Sequence, residues 1–280
     1  MLGFEGRHAV SSSTGRRALL GAFKGSVVVR DLLTGACSQP VETTFDFGGN
    51  RLALSDELDG VVAAAYHVHG LAFYRCTNGR EQWRRKDIKK VQRITLSRDG
   101  LTAYCGREGS SLAVVDLQTG QTKRTIRGAR AIHDSSFDAV QFLDATNPQL
   151  LDDAGQRLFL VHRESFAFLD ISFAPGLLVV AEANAAVRCI EIGSGNERWR
   201  YQPKNGRHIL HLGYRDSEPS VLGVEWQFER GGAKRLMRWS LDSGDVLESL
   251  LLGEPADCCF GLSGEVVVLS NGDVLPTSTR

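Results

Sequence analysis

Long apolar runs are missing from this chain, and no stretch approaches the roughly 18 uninterrupted apolar residues that a membrane-spanning helix needs. The first residues, MLGFEGRHAVSSSTGRR, lack a charged start followed by an apolar core of signal-peptide length. A cytoplasmic protein away from membranes is therefore expected. Net charge is missing too: 33 basic and 33 acidic residues cancel, which removes a long-range pull toward nucleic acid or an anionic surface. Proline is scarce, with 7 in 280 residues, and no low-complexity tract appears. Nothing marks a linker, so residues 1–280 are expected to form one domain. No Cys-x-x-Cys pair exists, and no cysteine has a histidine at zinc-finger spacing, so no metal site is expected there. Cys37, Cys76, Cys105, Cys189, Cys258 and Cys259 fall mostly in apolar strand patterns, as free thiols in a reducing compartment do. Convincing amphipathic helical patterns are absent as well. With 42% hydrophobic and 24% charged residues the chain is an ordinary soluble globule, which leaves an all-β protein.

What is present is a repeated phrase: an apolar strand, a polar pair ending in glycine, and a second strand. Its copies are VVVRDLLTGACS (27–38), LAFYRCTNGREQW (71–83), LAVVDLQTGQTKR (112–124), VRCIEIGSGNERW (187–199) and LMRWSLDSGDVLE (236–248). Gly35, Gly79 and Gly120 follow at intervals of about 44 and 41 residues, and Gly195 and Gly244 at about 49, near the length of one propeller blade. The gap of about 75 residues from Gly120 to Gly195 predicts a degenerate copy over 123–164, with RLFLVHR (157–163) supplying a strand. Asp99-Gly100 and Pro175-Gly176 supply the turns of tight hairpins. Runs such as VVAAA (61–65) and LLVV (177–180) suit strands buried on both faces, as stacked blades require. The pattern predicts a single β-propeller of about seven four-stranded blades, although six and eight also fit the spacing. The final unit runs out before four strands are complete. Residues 3–12 are expected to complete it and close the ring.

The strand–glycine–strand phrase resembles the quinoprotein-like and YVTN-type β-propeller repeats, relatives in architecture of WD40 propellers. NGREQW (78–83) and SGNERW (194–199) resemble the tryptophan-bearing quinoprotein form, and LSRDG (96–100) resembles the opening of YVTN and WD40 units. The resemblance implies that Trp83 and Trp199 pack between neighbouring blades. It specifies architecture rather than activity. Against the redox members of that family, this chain is much shorter and lacks an export signal, so no quinone or other cofactor is expected.

Catalytic chemistry has no local signature. Cys258-Cys259 resembles the adjacent cysteine pair of some family dehydrogenases, but its late position argues for two buried small side chains. His67 and His69 share a strand face and His208 and His211 lie close together, without the third ligand that a metal site needs. Glu182, Asp170, His162 and Glu225 are imaginable donors to a central-channel site. The densest charge run, Arg80, Arg84, Arg85, Lys86, Lys89 and Lys90, surrounds Trp83, and Lys123, Arg124, Arg127 and Arg130 follow. The longest unit adds Trp226, Phe228 and Arg230, residue types favoured in interfaces. The expected function is a non-enzymatic platform for another protein, of scaffold, regulatory or immunity type, with Arg84, Arg85, Lys86 and Arg230 as partner-binding residues. The alternative is a hydrolase, lyase or sensor for a small molecule, with its site in the central channel.

Overall fold

The computed structural model describes residues 7–22, 24–46, 51–65, 70–97, 99–108, 111–127, 129–133, 141–144, 149–151, 157–160, 168–182, 186–204, 207–227, 233–253 and 257–278. Among them the chain is all-β and forms seven antiparallel sheets in succession, each a meander in chain order. The first holds β1 (His8–Ser11), β2 (Arg17–Gly21), β3 (Lys24–Asp31) and β4 (Val41–Asp46); the second, β5 (Leu52–Ser55), β6 (Gly60–Ala65), β7 (Gly70–Arg75) and β8 (Glu81–Arg85). The third holds β9 (Val91–Leu96), β10 (Thr102–Arg107), β11 (Ser111–Asp116) and β12 (Thr122–Arg127); the fourth, β13 (Ala129–His133), β14 (Gln141–Asp144), β15 (Gln149–Leu151) and β16 (Arg157–Leu160). The fifth holds β17 (Phe168–Ala174), β18 (Leu177–Glu182), β19 (Val187–Glu191) and β20 (Glu197–Tyr201); the sixth, β21 (Arg207–Arg215), β22 (Ser220–Gln227), β23 (Lys234–Ser240) and β24 (Val246–Gly253). The seventh has three strands, β25 (Cys258–Gly261), β26 (Val266–Leu269) and β27 (Val274–Pro276). The degenerate copy expected over 123–164 is thus a four-stranded sheet, and Arg157–Leu160 is its last strand.

Sheet stacking follows from the period of the strand. Successive side chains point to opposite faces, so β6 feeds two cores at once. Val61 and Ala63 pack toward the first sheet with Leu19, Val29 and Leu52. Val62 and Ala64 pack toward the third sheet with Ile94, Ala103 and Val115. Equivalent layers join the fifth sheet to the sixth around Trp199, Met237 and Trp239, and the sixth to the seventh around Leu236, Cys258 and Val267. The first strands of consecutive sheets touch one another, and β25 lies against β1 and β2.

The repeated phrase is one hairpin built five times. In each, the glycine amide donates to the carbonyl four residues earlier: Gly35 to Asp31, Gly79 to Arg75, Gly120 to Asp116, Gly195 to Glu191 and Gly244 to Ser240, at 2.8–3.0 Å. Asp31 and Asp116 tighten their turns by accepting from the amides and hydroxyls of Thr34 and Thr119. Gly120 and Gly244 have φ of +70° and +74°, a region unfavourable to a Cβ. At both positions the preceding sheet is close as well: a Cβ would come 2.7 Å from Trp83 at Gly120 and 2.6 Å from Trp199 at Gly244. Those indoles reach across to the following sheet, where Trp83 Nε1 donates to the Leu117 carbonyl and Trp199 Nε1 to the Leu241 carbonyl, each at 2.8 Å. Both tryptophans thus pack between neighbouring sheets, as the resemblance implied for neighbouring blades.

The closing strand expected from residues 3–12 is corrected for the residues from 7 onward; residues 3–6 of that expectation lie outside the described residues. His8–Ser11 pairs with β2 in the first sheet, in the register Ala9 to Leu20, and the last sheet has no strand from the N-terminal region among the described residues. The physical reason is local: Ser12 and Arg17 close a tight hairpin, with the Ser12 amide on the Arg17 carbonyl at 2.9 Å and Ser12 Oγ accepting from the Arg17 amide at 3.0 Å. Such a short loop is far cheaper to close than one spanning the chain. The first and last sheets meet face to face instead, through Ala9, Ala18, Leu20 and Val268.

Gly244→Ala is expected to lower stability by about 1–3 kcal/mol, because strain at positive φ adds to the clash with the indole. Gly176→Ala, at φ +71° with open space around it, should cost less. Trp199→Phe should cost about 1 kcal/mol for the lost hydrogen bond. Urea-unfolding midpoints of the three variants test the ranking.

Candidate functional site

Three titratable side chains, two on the first strands of their sheets and one just before such a strand, meet where the first and last sheets adjoin. Asp257 immediately precedes β25, His8 opens β1, and His211 lies on β21. His211 Nε2 donates to Asp257 Oδ1 at 3.0 Å, the Ala9 amide donates to Oδ2 at 3.2 Å, and His8 Nδ1 stands 3.8 Å from Oδ2. The Asp257 backbone is held by Ser270, whose amide donates to its carbonyl at 2.9 Å. Burial alone would raise the Asp257 carboxyl; the imidazoles of His211 and His8 and the Ala9 amide outweigh it and hold the group well below the usual carboxylate range. His8 Nε2 is buried without a hydrogen-bond partner, and its ring meets Phe45 edge-on. An aspartate that orients an imidazole can position a base or an anion-binding group.

Flanking seams carry ion pairs of their own. Arg17 spans the first and second sheets, with Nε 2.5 Å from Asp56 and an Nη 2.6 Å from Asp59. Arg215 spans the sixth and seventh, 2.9 Å from Glu265. Among the described residues no group of three or more His, Cys, Asp and Glu is placed to hold a metal ion.

The residues expected to bind a partner are placed as follows. Arg84 and Arg85 end β8 and carry their own acids: Arg84 pairs with Glu81 and its Nη2 donates to the Tyr74 hydroxyl at 3.0 Å, while Arg85 holds Asp87 at 2.7 Å. The hydrogen bond from Arg85 keeps the Asp87 carboxyl below its usual range. Arg85 also donates to the Gly120 carbonyl of the third sheet at 2.6 Å, which joins the outer parts of the two sheets. Lys86 and Lys89 are exposed in the turn beyond β8, and Arg124 and Arg127 are exposed on β12. Arg230 lies outside the described residues, as do Phe228, His67, His69 and His162, and the side chains of Arg130 and Asp170 lie outside them too. Of the imagined channel donors, Glu182 and Glu225 are described, and each is paired with an arginine rather than with the trio. Glu182 is buried against Arg188 at 3.0 Å, and Glu225 against Arg207 at 2.6 Å. Trp226 is half-buried on β22 opposite His208.

Cys258 and Cys259 are free thiols; burial pushes Cys258 up to about 12 and Cys259 well above its ordinary value. Neither is a thiolate near neutral pH. Asp257 and His8 were missed at the level of sequence, because nothing local connects an aspartate before the last sheet to a histidine in the first strand.

No family model matches the chain, and no curated protein does. Solved structures do. Hydrazine synthase from Kuenenia stuttgartiensis superposes with a TM-score of 0.71 at 13% identity, over 100% of this chain and 99% of that one. The computationally designed Ika8 protein superposes with a TM-score of 0.61 at 16% identity, over 97% of this chain and 96% of that one. Identities this low speak for a shared fold and carry no function.

Because the Asp257 carboxyl is lowered on folding, the stability it contributes is present above its unfolded value of about 4 and is lost as pH falls below it toward the folded value. Asp257→Asn is expected to cost about 1–3 kcal/mol at neutral pH. The deficit relative to wild type should shrink between pH 5 and pH 3, which urea unfolding at the two pH values measures.

Proposed function

We propose that the chain is a closed seven-bladed β-propeller of quinoprotein-like, YVTN type that acts in the cytoplasm as a non-enzymatic platform for another protein. Ring closure is supported by the contacts of first strands from β1 through β25 and back to β1. Further support comes from the Leu262 amide on the Gly15 carbonyl at 2.7 Å and the Arg30 guanidinium on the Gly272 carbonyl. A reducing compartment is supported by six cysteines that are all free. Among the described residues no helix is long and apolar enough to cross a membrane.

The observation that carries the platform reading is the basic outer surface of the second and third sheets. Arg85 bridges them, and exposed Lys86, Lys89, Arg124 and Arg127 lie on either side. A partner presenting an acidic patch fits such a surface, with charge steering the encounter and fixing its register. Arg84 and Arg85 serve as the rigid base of the surface, held by Glu81 and Asp87, while Lys86 and Lys89 make the outward contacts.

Affinity capture from the native lysate tests this. A stoichiometric partner bound by wild type and lost on the double reversal Lys86→Glu, Lys89→Glu is expected, with the apparent affinity falling about tenfold or more. Recovery of no stoichiometric partner, or equal recovery by the reversed variant, counts against the platform.

A second reading, a small-molecule site at the ring interior, is favoured by one observation: the convergence of His211, Asp257 and His8 from three sheets. Thermal shifts with small carboxylates or lactones that vanish in His211→Ala would support it, and their absence in wild type would tell against it.

A further inference from the structure

The outer strands of the sheets differ in one respect that bears on assembly. An outer strand presents unpaired backbone groups to any other strand, and proteins blunt such edges with charge. β4 carries Glu42; β8 carries Glu81, Arg84 and Arg85; β12 carries Lys123, Arg124 and Arg127; and β20 carries Glu197, Arg198 and Arg200, while β16 with one charge and β27 with none are only four and three residues long. β24 is eight residues long, VLESLLLG, and holds a single charge. That charge, Glu248, is turned to Arg238 at 3.3 Å. Val246, Leu247 and Leu251 are 46, 51 and 59% exposed, three of the four large apolar side chains exposed among the described residues. β24 ends its sheet, so no described strand covers its outer side.

The ends of this edge carry opposite charge. β24 leaves a turn that holds exposed Asp242 and Asp245, and at its far end exposed Arg235 of β23 stands opposite Leu251. We propose that β24 is a homodimerisation edge, pairing antiparallel with β24 of a second copy about a two-fold axis at Ser249. The antiparallel sense brings the acidic start of each strand toward the basic finish of the other, whereas a parallel sense would set like charge against like. With Ser249 facing its mate, Leu251 of each copy comes level with Leu247 of the other, the residue at which β24 bulges out of register with β23. A two-fold contact of this kind is self-complementary and closes at two copies. The inference is independent of the basic surface on the second and third sheets, which the dimer leaves open.

Sedimentation velocity of the full chain across a micromolar concentration series tests the proposal, with circular dichroism and urea midpoints as folding controls. Wild type is expected to shift from monomer to dimer. Leu251→Lys should weaken the dimer at least about tenfold, and Leu247→Lys should do the same should the first variant fold poorly. Arg235→Glu and Asp245→Arg should each weaken dimerisation, and their combination should restore it. A wild type that stays monomeric through the series overturns the proposal, whether the edge is bare or serves a different protein. So does a dimer that survives both leucine variants, because it must then form through another surface.

Discussion

A strand buried on both faces cannot be satisfied within its own sheet, and the rest of this structure depends on that constraint. β6 reads GVVAAA and is buried along its whole length, so its two sets of alternating side chains need a neighbouring sheet on each side. What forms is a series of apolar layers between sheets rather than one central core. Five described layers take residues from two neighbouring sheets, and the layer of Ala9, Ala18, Leu20 and Val268 does so for the last and the first. Removing one sheet would expose two layers at once. Stability is thereby shared around the assembly, as in other arrays held by nearest-neighbour contacts.

Polar contacts tie neighbouring sheets together at five of the seams. At two seams an indole crosses from one sheet to a backbone carbonyl in the hairpin of the following one, and the glycine of that hairpin makes room for the ring. At three others, charge does the same work: Arg215 with Glu265, Asp257 with the Ala9 amide and two histidines, and Arg17 with Asp56 and Asp59. The Asp257 cluster therefore has a structural role whatever else it does. Its position brings together titratable groups from the first, sixth and seventh sheets.

Much of the site was illegible in the sequence for a reason that particular residues make plain. Arg84 and Arg85 stood out as cations, but strand geometry turns Arg84 back onto Glu81 and sets Arg85 between Asp87 and the Gly120 carbonyl, so the outward charge falls to Lys86 and Lys89. Glu182 and Glu225 were readable as acids in strands; that each is held by an arginine of an adjacent strand was not. The Ala9 amide and the Asp257 carboxylate are 248 positions apart, and no periodicity relates them.

The sequence by itself determined the hairpins, because the bonds within each span only a few residues: a glycine able to take positive φ, in four of the five a side chain four residues earlier to brace the turn, and alternating apolar strands on either side. It determined the period as well, and through the period the place of the irregular fourth sheet. Only the tertiary structure decided how the ends meet. The N-terminal strand was free on pattern alone to join either sheet, and the short Ser12–Arg17 hairpin drew His8–Ser11 to the first, with three strands in the last among the described residues and a seam made by side chains. Tertiary structure also decided which charges are spent inside the molecule and which reach its surface, since that depends on partners contributed by neighbouring strands and sheets.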